Sequence, residues 1–418
     1  MTSEERHEMR YQRRKAKREA KRLAMTDALD FDRVFTFEHL YQAYKKCRRG
    51  VAWKASTQKY IVQAPLEVYQ TYERLRKGTF KTDGFYEFDL YERGKKRHIR
   101  SVTMRERVVQ RCLCDYSLVP MVGRSFIYDN GASMAHKGYH FAMERMARHL
   151  QYHYRKHGCD GYILLFDFSH FFDNVSHEVV RKALKNLYSD ERLYRLIMHF
   201  VEAFGDQGMG LGSQISQVLA LLTADRMDHV VKEELRIKCY ARYMDDGYLI
   251  HKDKSYLQKC LDRIREVCRE YGIELNEKKT QIVKLSHGFT WLKARVYLTK
   301  SGRIVKKIYK RSITKMRQKL KDFKRLVAKG KMTINDVRTS VQCWTAYALY
   351  FDACGTIQTM NNLIFQLFGR ENGYLILRTE RLKRNKIYRR RRYIARTIRY
   401  EYRSLAAREE ERDVLQST

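Results

Sequence analysis

The chain has 418 residues, of which 44% are hydrophobic, enough for a sizeable core and roughly two to three domains. Its 85 Lys and Arg against 48 Asp and Glu leave a formal net charge of +37, far from the mixed signs of an ordinary solvated surface. An excess of this size points to a polyanionic partner, most simply nucleic acid. No apolar run approaches the roughly 20 residues of a membrane-spanning helix, and the polar N-terminus carries no secretory signal. The nine cysteines are scattered with no Cys-x-x-Cys unit. That argues against a structural zinc or a disulfide framework and fits reduced thiols in a cytoplasm.

In chain order, residues 10–24 (RYQRRKAKREAKRLA) form a basic, helix-prone arm, which suits either a solvated tail or contact with a nucleic-acid backbone. Phe37, Leu40, Tyr41 and Tyr44 recur at helical spacing, predicting an amphipathic helix that ends at Gly50. Residues 84–103 alternate about Arg93-Gly94-Lys95, a hairpin with a basic tip. Residues 104–120 read as a helix stopping near Pro120, and residues 137–157 as a helix with Phe141, Met143, Met146 and Leu150 on one side. The apolar run 161–168 (GYILLFDF) reads as a buried strand, followed by helices over 176–188 and 213–235. Ile237–Arg242 and Tyr248–His251 read as two strands about a tight turn. An amphipathic helix over 255–271 and strands near 273–275, 281–285 and 289–298 come next. Helices rich in Lys and Arg follow over 308–329 and 333–368, and the tail 378–403 interleaves arginines with tyrosines.

Two segments carry the chemistry. In FDFSHFFDNVSH, residues 166–177, Asp167 ends a buried strand. A carboxylate there costs several kcal/mol unless paired or holding a cation; a helix cap or a salt bridge would serve equally for this segment alone. The second segment is Tyr243-Met244-Asp245-Asp246-Gly247. Asp-Gly favours a tight hairpin turn, so both aspartates are expected at its tip. Taken alone it could be nothing more than a good turn sequence. Together, three carboxylates on two strand ends can hold two Mg²⁺ ions through oxygen ligands. Two such ions about 4 Å apart would activate a 3′-hydroxyl and stabilise a leaving pyrophosphate.

The ordered motifs from about residue 35 to about 370 resemble the reverse transcriptases of bacterial retroelements. The resemblance implies an α+β right-hand polymerase, with fingers, an antiparallel palm sheet flanked by helices, and a helical thumb. It divides the chain into a basic arm (1–30), fingers (31–160), palm (161–300), thumb (301–370) and a basic C-terminal extension (371–418). Asp167, Asp245 and Asp246 then become the catalytic residues, and with Phe168 the metal site, for two Mg²⁺ ions that Mn²⁺ can replace. KKRHIRSVTMRERVVQ (95–110) resembles the fingers motif, in which Lys95 and Arg97 would contact the triphosphate. Phe172 falls at the aromatic steric gate, where plain core packing is the other use of such a ring. LNEKKT (275–280) puts Lys279 where a lysine would assist pyrophosphate departure, and FTWLKARV (289–296) places Trp291 and Leu292 in the primer grip.

One motif departs from the usual pattern. Most relatives have Gln-Gly-x-x-x-Ser-Pro against the added nucleotide; this chain has Leu211-Gly212-Ser213-Gln214-Ile215-Ser216-Gln217. Leu211, Gly212 and Gln217 would thus line the nucleotide site, with Leu for Gln and Gln for Pro. That form is similar to the reverse transcriptases of diversity-generating retroelements, in which the aliphatic residue accompanies low fidelity opposite template adenines. A defence polymerase that makes cDNA from a non-coding RNA against phage would share the same core. A non-catalytic RNA-binding scaffold is a third reading, disfavoured because all three carboxylates are present. The expected partners are an RNA template, a DNA or RNA primer with its cDNA product, and dNTPs. The basic C-terminal region suits a small accessory protein or a structured RNA.

Overall fold

The structure, a computed structural model, describes residues 2–26, 30–92 and 95–377. The basic arm forms a helix, Ser3–Thr26. Later helices begin where the sequence supplies a cap: Asp30 accepts from Arg33 N, Thr36 from His39 N, Ser176 from Val179 N and Ser213 from Ser216 N. Helix Phe37–Cys47 buries Leu40 and Tyr44, and the chain turns at Gly50 with φ of 78°.

The basic hairpin consists of β1 (Tyr86–Glu92) and β2 (Lys95–Ser101), antiparallel with Leu90 opposite Arg97. Ion pairs Lys96–Asp89 at 2.9 Å and Arg100–Glu87 at 3.1 Å link its two strands. The tip residues Arg93 and Gly94 lie outside the described residues, as does the tail 378–403. The helix expected over 104–120 runs as Met104–Leu113, a π turn, Cys114–Leu118, and Val119–Val122, ending two residues past Pro120. Pro120 stands in the first turn of that last segment, where its missing N–H is tolerated.

A five-stranded antiparallel sheet sits at the centre of the larger of two units, Met1–Leu292 with Val296–Ile304. Its middle strand is β3 (Tyr162–Ser169). On one side lies the pair β4 (Tyr240–Tyr243) and β5 (Asp246–His251), with β5 next to β3; on the other lie β6 (Glu274–Leu275) and β7 (Gln281–Lys284). Ile163, Leu164, Leu165, Phe166 and Phe168 of β3 are all buried, each contributing about 1.5–3 kcal/mol of apolar burial. Helices Tyr139–His157 and Lys254–Glu270 pack on this sheet, the second through Leu257, Cys260, Leu261, Ile264 and Val267.

The turn around the paired aspartates differs from the expected one. Asp-Gly is not its centre: the turn is Met244-Asp245, with Met244 at φ of 55°, and Asp246 already belongs to β5. Strand pairing on both sides explains this, because Asp246 lies opposite Tyr243 of β4 and opposite Asp167 of β3. Gly247 is needed inside the strand, since a Cβ there would stand 2.1 Å from the Phe166 ring. The strand before the turn also starts later than expected, at Tyr240. The helical stretch over 213–235 is likewise divided, into Gln214–Thr223, Asp225–His229 and a π turn, Val230–Glu234.

Three short strands, Phe289–Trp291, Ala294–Leu298 and Ile304–Ile308, follow along the chain. The second unit, Lys293–Arg295 with Val305–Thr418, takes in parts of the last two strands and then three helices, Lys310–Ala328, Ile334–Ala348 and Cys354–Leu377. Its core comprises Met316, Leu320, Phe323, Val337, Val341, Met360, Ile364 and Ile376. The single helix expected over 333–368 is broken at 349–353. There Asp352 N donates to the Lys306 carbonyl at 2.8 Å and the Asp352 carboxylate accepts from Lys306 N at 2.9 Å, a pairing a continuous helix would forbid.

Among the described residues no helix is long and apolar enough to cross a membrane, and all nine cysteines are free thiols. Gly247→Ala is expected to lower stability by about 1–3 kcal/mol through overpacking against Phe166, read from the urea midpoint. An unchanged midpoint would contradict the close approach of ring and strand.

Candidate active site

Register places the first two carboxylates. Asp167 and Asp246 stand directly opposite each other on β3 and β5, and the Met244-Asp245 turn brings in the third. The amide of Phe168 donates to the Asp245 carbonyl at 3.2 Å, tying the turn back to β3. Carboxylate oxygens of Asp167, Asp245 and Asp246 all lie within 4.8 Å of one another. Asp167 is buried and the other two are half-buried. The Phe168 ring is buried in the core, so only its backbone carbonyl could face a metal.

Among the described residues a lysine pairs directly with this cluster. Lys279 Nζ donates to Asp167 Oδ1 at 2.5 Å. Its loop is held for this: Asn276 N donates to the Asp167 carbonyl at 2.8 Å, and the Asn276 carbonyl accepts from Lys279 N at 3.0 Å and from Thr280 Oγ1 at 3.0 Å. Burial lowers the Lys279 pKa, but the hydrogen bond to Asp167 and the neighbouring carboxylates outweigh it and raise the ammonium overall. Burial, then the charge of Asp167, raises Asp245. Burial, then the charges of Asp245 and Asp167, pushes Asp246 up to about 7. Three carboxylates against one directly paired lysine, with Arg242 already matched to Asp228, leave negative charge uncompensated among the described residues, and an all-oxygen donor set of this kind suits Mg²⁺ or Mn²⁺.

The remaining candidates surround this cluster at different depths. Phe172 is half-buried, edge-on to Phe171, and its carbonyl accepts from Met209 N at 2.7 Å. That bond and Gly208 N to Val175 O at 2.9 Å join the turn after β3 to the segment leading to Leu211. Leu211 is half-buried and Gly212 exposed. Gly212 has φ of 118°, and a Cβ there would lie 3.2 Å from the Arg100 carbonyl of β2. Arg100 also donates to the Phe204 carbonyl at 2.8 Å, and Phe85 stacks on Phe204. The basic hairpin is thereby tied to the Leu211 segment. Arg97 is exposed on β2, while the side chain of Lys95 lies outside the described residues. Gln217 is exposed and accepts from Ser133 Oγ at 3.2 Å. Trp291 is buried, edge-on to Tyr248 of β5 at 4.8 Å, and Leu292 is half-buried with φ of 45°.

Three residues that sequence reasoning passed over take part. Buried Gln110 accepts from Ser213 Oγ at 3.0 Å, anchoring the cap of the helix that follows Gly212. Ser133, at φ of 51°, reaches both Gln217 and Met244 Sδ. Asn276 holds the lysine loop. Gln110 was the one with a sequence signal, a polar residue among Val108, Val109, Cys112 and Leu113 on a core-facing helix.

The raised Asp246 has a direct consequence. Folded protein keeps its proton up to about pH 7, whereas an ordinary Asp releases it near 3.8. The folded state therefore binds more protons in this window, and stability falls as pH rises through it. Metal-free Asp246→Asn is expected to melt several degrees higher than the parent at pH 8 and without that gain at pH 4, by calorimetry. Mg²⁺ should raise the melting temperature of the parent more than that of the variant.

No curated protein matches the chain. Among solved structures it is similar to telomerase from Candida albicans in complex with a fragment of telomeric RNA (TM-score 0.44, 12% identity, 70% of this chain and 63% of that one). It is also similar to apo telomerase from Candida tropicalis truncated from its C-terminal domain (TM-score 0.41, 13% identity, 53% of this chain and 54% of that one). The chain thus spans less than two thirds of either. A family model described as reverse transcriptase (RNA-dependent DNA polymerase) matches residues 81–294, half of the chain. Because that match runs from just before the basic hairpin past all three carboxylates, the chain belongs to the reverse transcriptase family.

Proposed function

We propose that the protein is an RNA-directed DNA polymerase that adds dNTPs to a primer 3′-hydroxyl, with two Mg²⁺ ions held by Asp167, Asp245 and Asp246. The observation that carries this is the cluster of three carboxylates within 4.8 Å, short of compensating charge. Bound divalent ions would lower the pKa of the attacking hydroxyl and stabilise the pyrophosphate leaving in line. The rest falls to the chain. Lys279, now paired with Asp167, supplies a proton donor beside the departing pyrophosphate. Lys95 and Arg97 of the hairpin take the triphosphate charge, and the Phe172 ring lies under the sugar to exclude a 2′-hydroxyl. Leu211, Gly212 and Gln217 line the nucleotide site, and Trp291 and Leu292 support the primer end. In this reading residues 31–160 are fingers, 161–300 palm and 301–370 thumb, with RNA template and primer running along the basic surfaces.

The finer reading is an error-prone enzyme of a diversity-generating retroelement. Leu211 supports it: an aliphatic side chain cannot hydrogen-bond near the nascent pair, so geometric checking of that pair weakens. The cytoplasm is the compartment that suits its free thiols.

Purified protein is expected to extend a DNA primer on an RNA template with Mg²⁺, and the double variant Asp245→Asn, Asp246→Asn to lose at least on the order of 10³-fold in rate. Full activity in that variant would refute the site. Sequencing of cDNA made by the parent should show errors concentrated opposite template adenines, reduced in Leu211→Gln. Uniformly low error in both would refute the error-prone reading.

A further inference from the structure

Behind the catalytic turn lies a charge pair that the reaction itself does not use. Arg242 sits in β4 between Ala241 and Tyr243, and Asp228 in the helix Asp225–His229; both side chains are fully buried. Arg242 Nε donates to Asp228 Oδ1 at 2.8 Å and Nη2 to Oδ2 at 2.5 Å. The Tyr240 hydroxyl donates to Asp228 Oδ1 as well. The backbone is fixed too: Arg242 N donates to the Asp129 carbonyl at 3.3 Å, and the Arg242 carbonyl accepts from Gly131 N at 2.8 Å.

For stability alone such a pair has little to recommend it. Removing two charges from water costs several kcal/mol per ion, and apolar residues of similar volume are often as stable or more so. What an apolar pair could not supply is the third contact: Arg242 Nη1 donates to the Met244 carbonyl at 2.8 Å. Met244 is a non-glycine residue at φ of 55°, a conformation that costs about 1 kcal/mol or more and persists only where its surroundings hold it. The next residue is Asp245, one of the three clustered carboxylates.

We propose that Asp228 and Arg242 act as a positioning clamp, in which Asp228 orients the guanidinium and the guanidinium holds the Met244 carbonyl so that Asp245 and Asp246 present preformed metal ligands. Both side chains are fully buried, out of reach of a bound ligand. Their effect passes through the turn, and it rests on the reading of Asp167, Asp245 and Asp246 as a metal site. Outer residues that orient metal ligands typically carry 10–100-fold in metal affinity or activity, which sets the scale expected here.

The test is the double variant Asp228→Leu, Arg242→Met, which removes both charges and leaves no unpaired ion in the core. Melting temperature, Mn²⁺ affinity by electron paramagnetic resonance on metal-free protein, and kcat and KM for dNTP are measured. Expected are a cooperative melt within several degrees of the parent's, the Tyr240 hydroxyl having lost its Asp228 acceptor, Mn²⁺ affinity and kcat each down about tenfold or more, and KM changed by less than about threefold. A folded double variant with Mn²⁺ affinity and kcat within about twofold of the parent would overturn the clamp. Should the double variant not fold, Arg242→Lys decides by the same readouts, because a compact ammonium keeps a charge for Asp228 without the planar fork that reaches both its oxygens and Met244. Asp245→Asn, Asp246→Asn separates the two readings. Parent protein that binds Mn²⁺ no better than that variant overturns the metal site and the clamp with it. Mn²⁺ binding lost there yet intact in the clamp variant overturns the clamp alone.

Discussion

Like charges held close by strand register are the constraint around which the larger unit is arranged. Asp167 and Asp246 face each other because β3 and β5 pair from Tyr162 opposite His251 through to the aspartates. The apolar side chains of those strands, buried on both faces of the sheet, fix that register by how they pack, as where the Phe166 ring fits over Gly247. Burial of β3 and β5 therefore supplies the free energy that keeps the carboxylates together against their repulsion. Burial, and after it the charges of the neighbouring carboxylates, raise Asp245 and Asp246 even with Lys279 at hand.

The surrounding polar ties make sense as ways to hold this cluster from several directions. Asn276 and Lys279 approach Asp167 from the loop between β6 and β7. Phe168 N meets Asp245 from β3, and Arg242 meets Met244 from β4. Farther out, Arg100 and Gly212 join the basic hairpin to the Leu211 segment, and Met209 joins that segment to Phe172. These contacts fix the hairpin, the Leu211 segment and the turn after β3 to one another.

Much of this was legible in the sequence because it rests on local signals. The run ending in Asp167 is apolar enough to read as a strand, and the helix Lys254–Glu270 shows its buried face at helical spacing. The basic hairpin was legible from alternation about its glycine. What escaped were features set by distant partners. Gly247 looked like a turn residue, but its function is to admit the Phe166 ring from the neighbouring strand. Arg242 and Asp228 are 14 residues apart and meet only through the fold, so no periodicity announces them. The ring of Trp291 packs in the core against Tyr248 of β5, a contact set by the fold and not by any local pattern.

The most direct measurement is anomalous diffraction from crystals grown with Mn²⁺, an RNA–DNA primer-template and a non-hydrolysable dNTP. Two manganese peaks are expected among the oxygens of Asp167, Asp245 and Asp246, with Lys279 released from Asp167 toward the triphosphate. A nucleotide bound there with no manganese at the three carboxylates, or manganese held elsewhere, would contradict the two-metal polymerase centre.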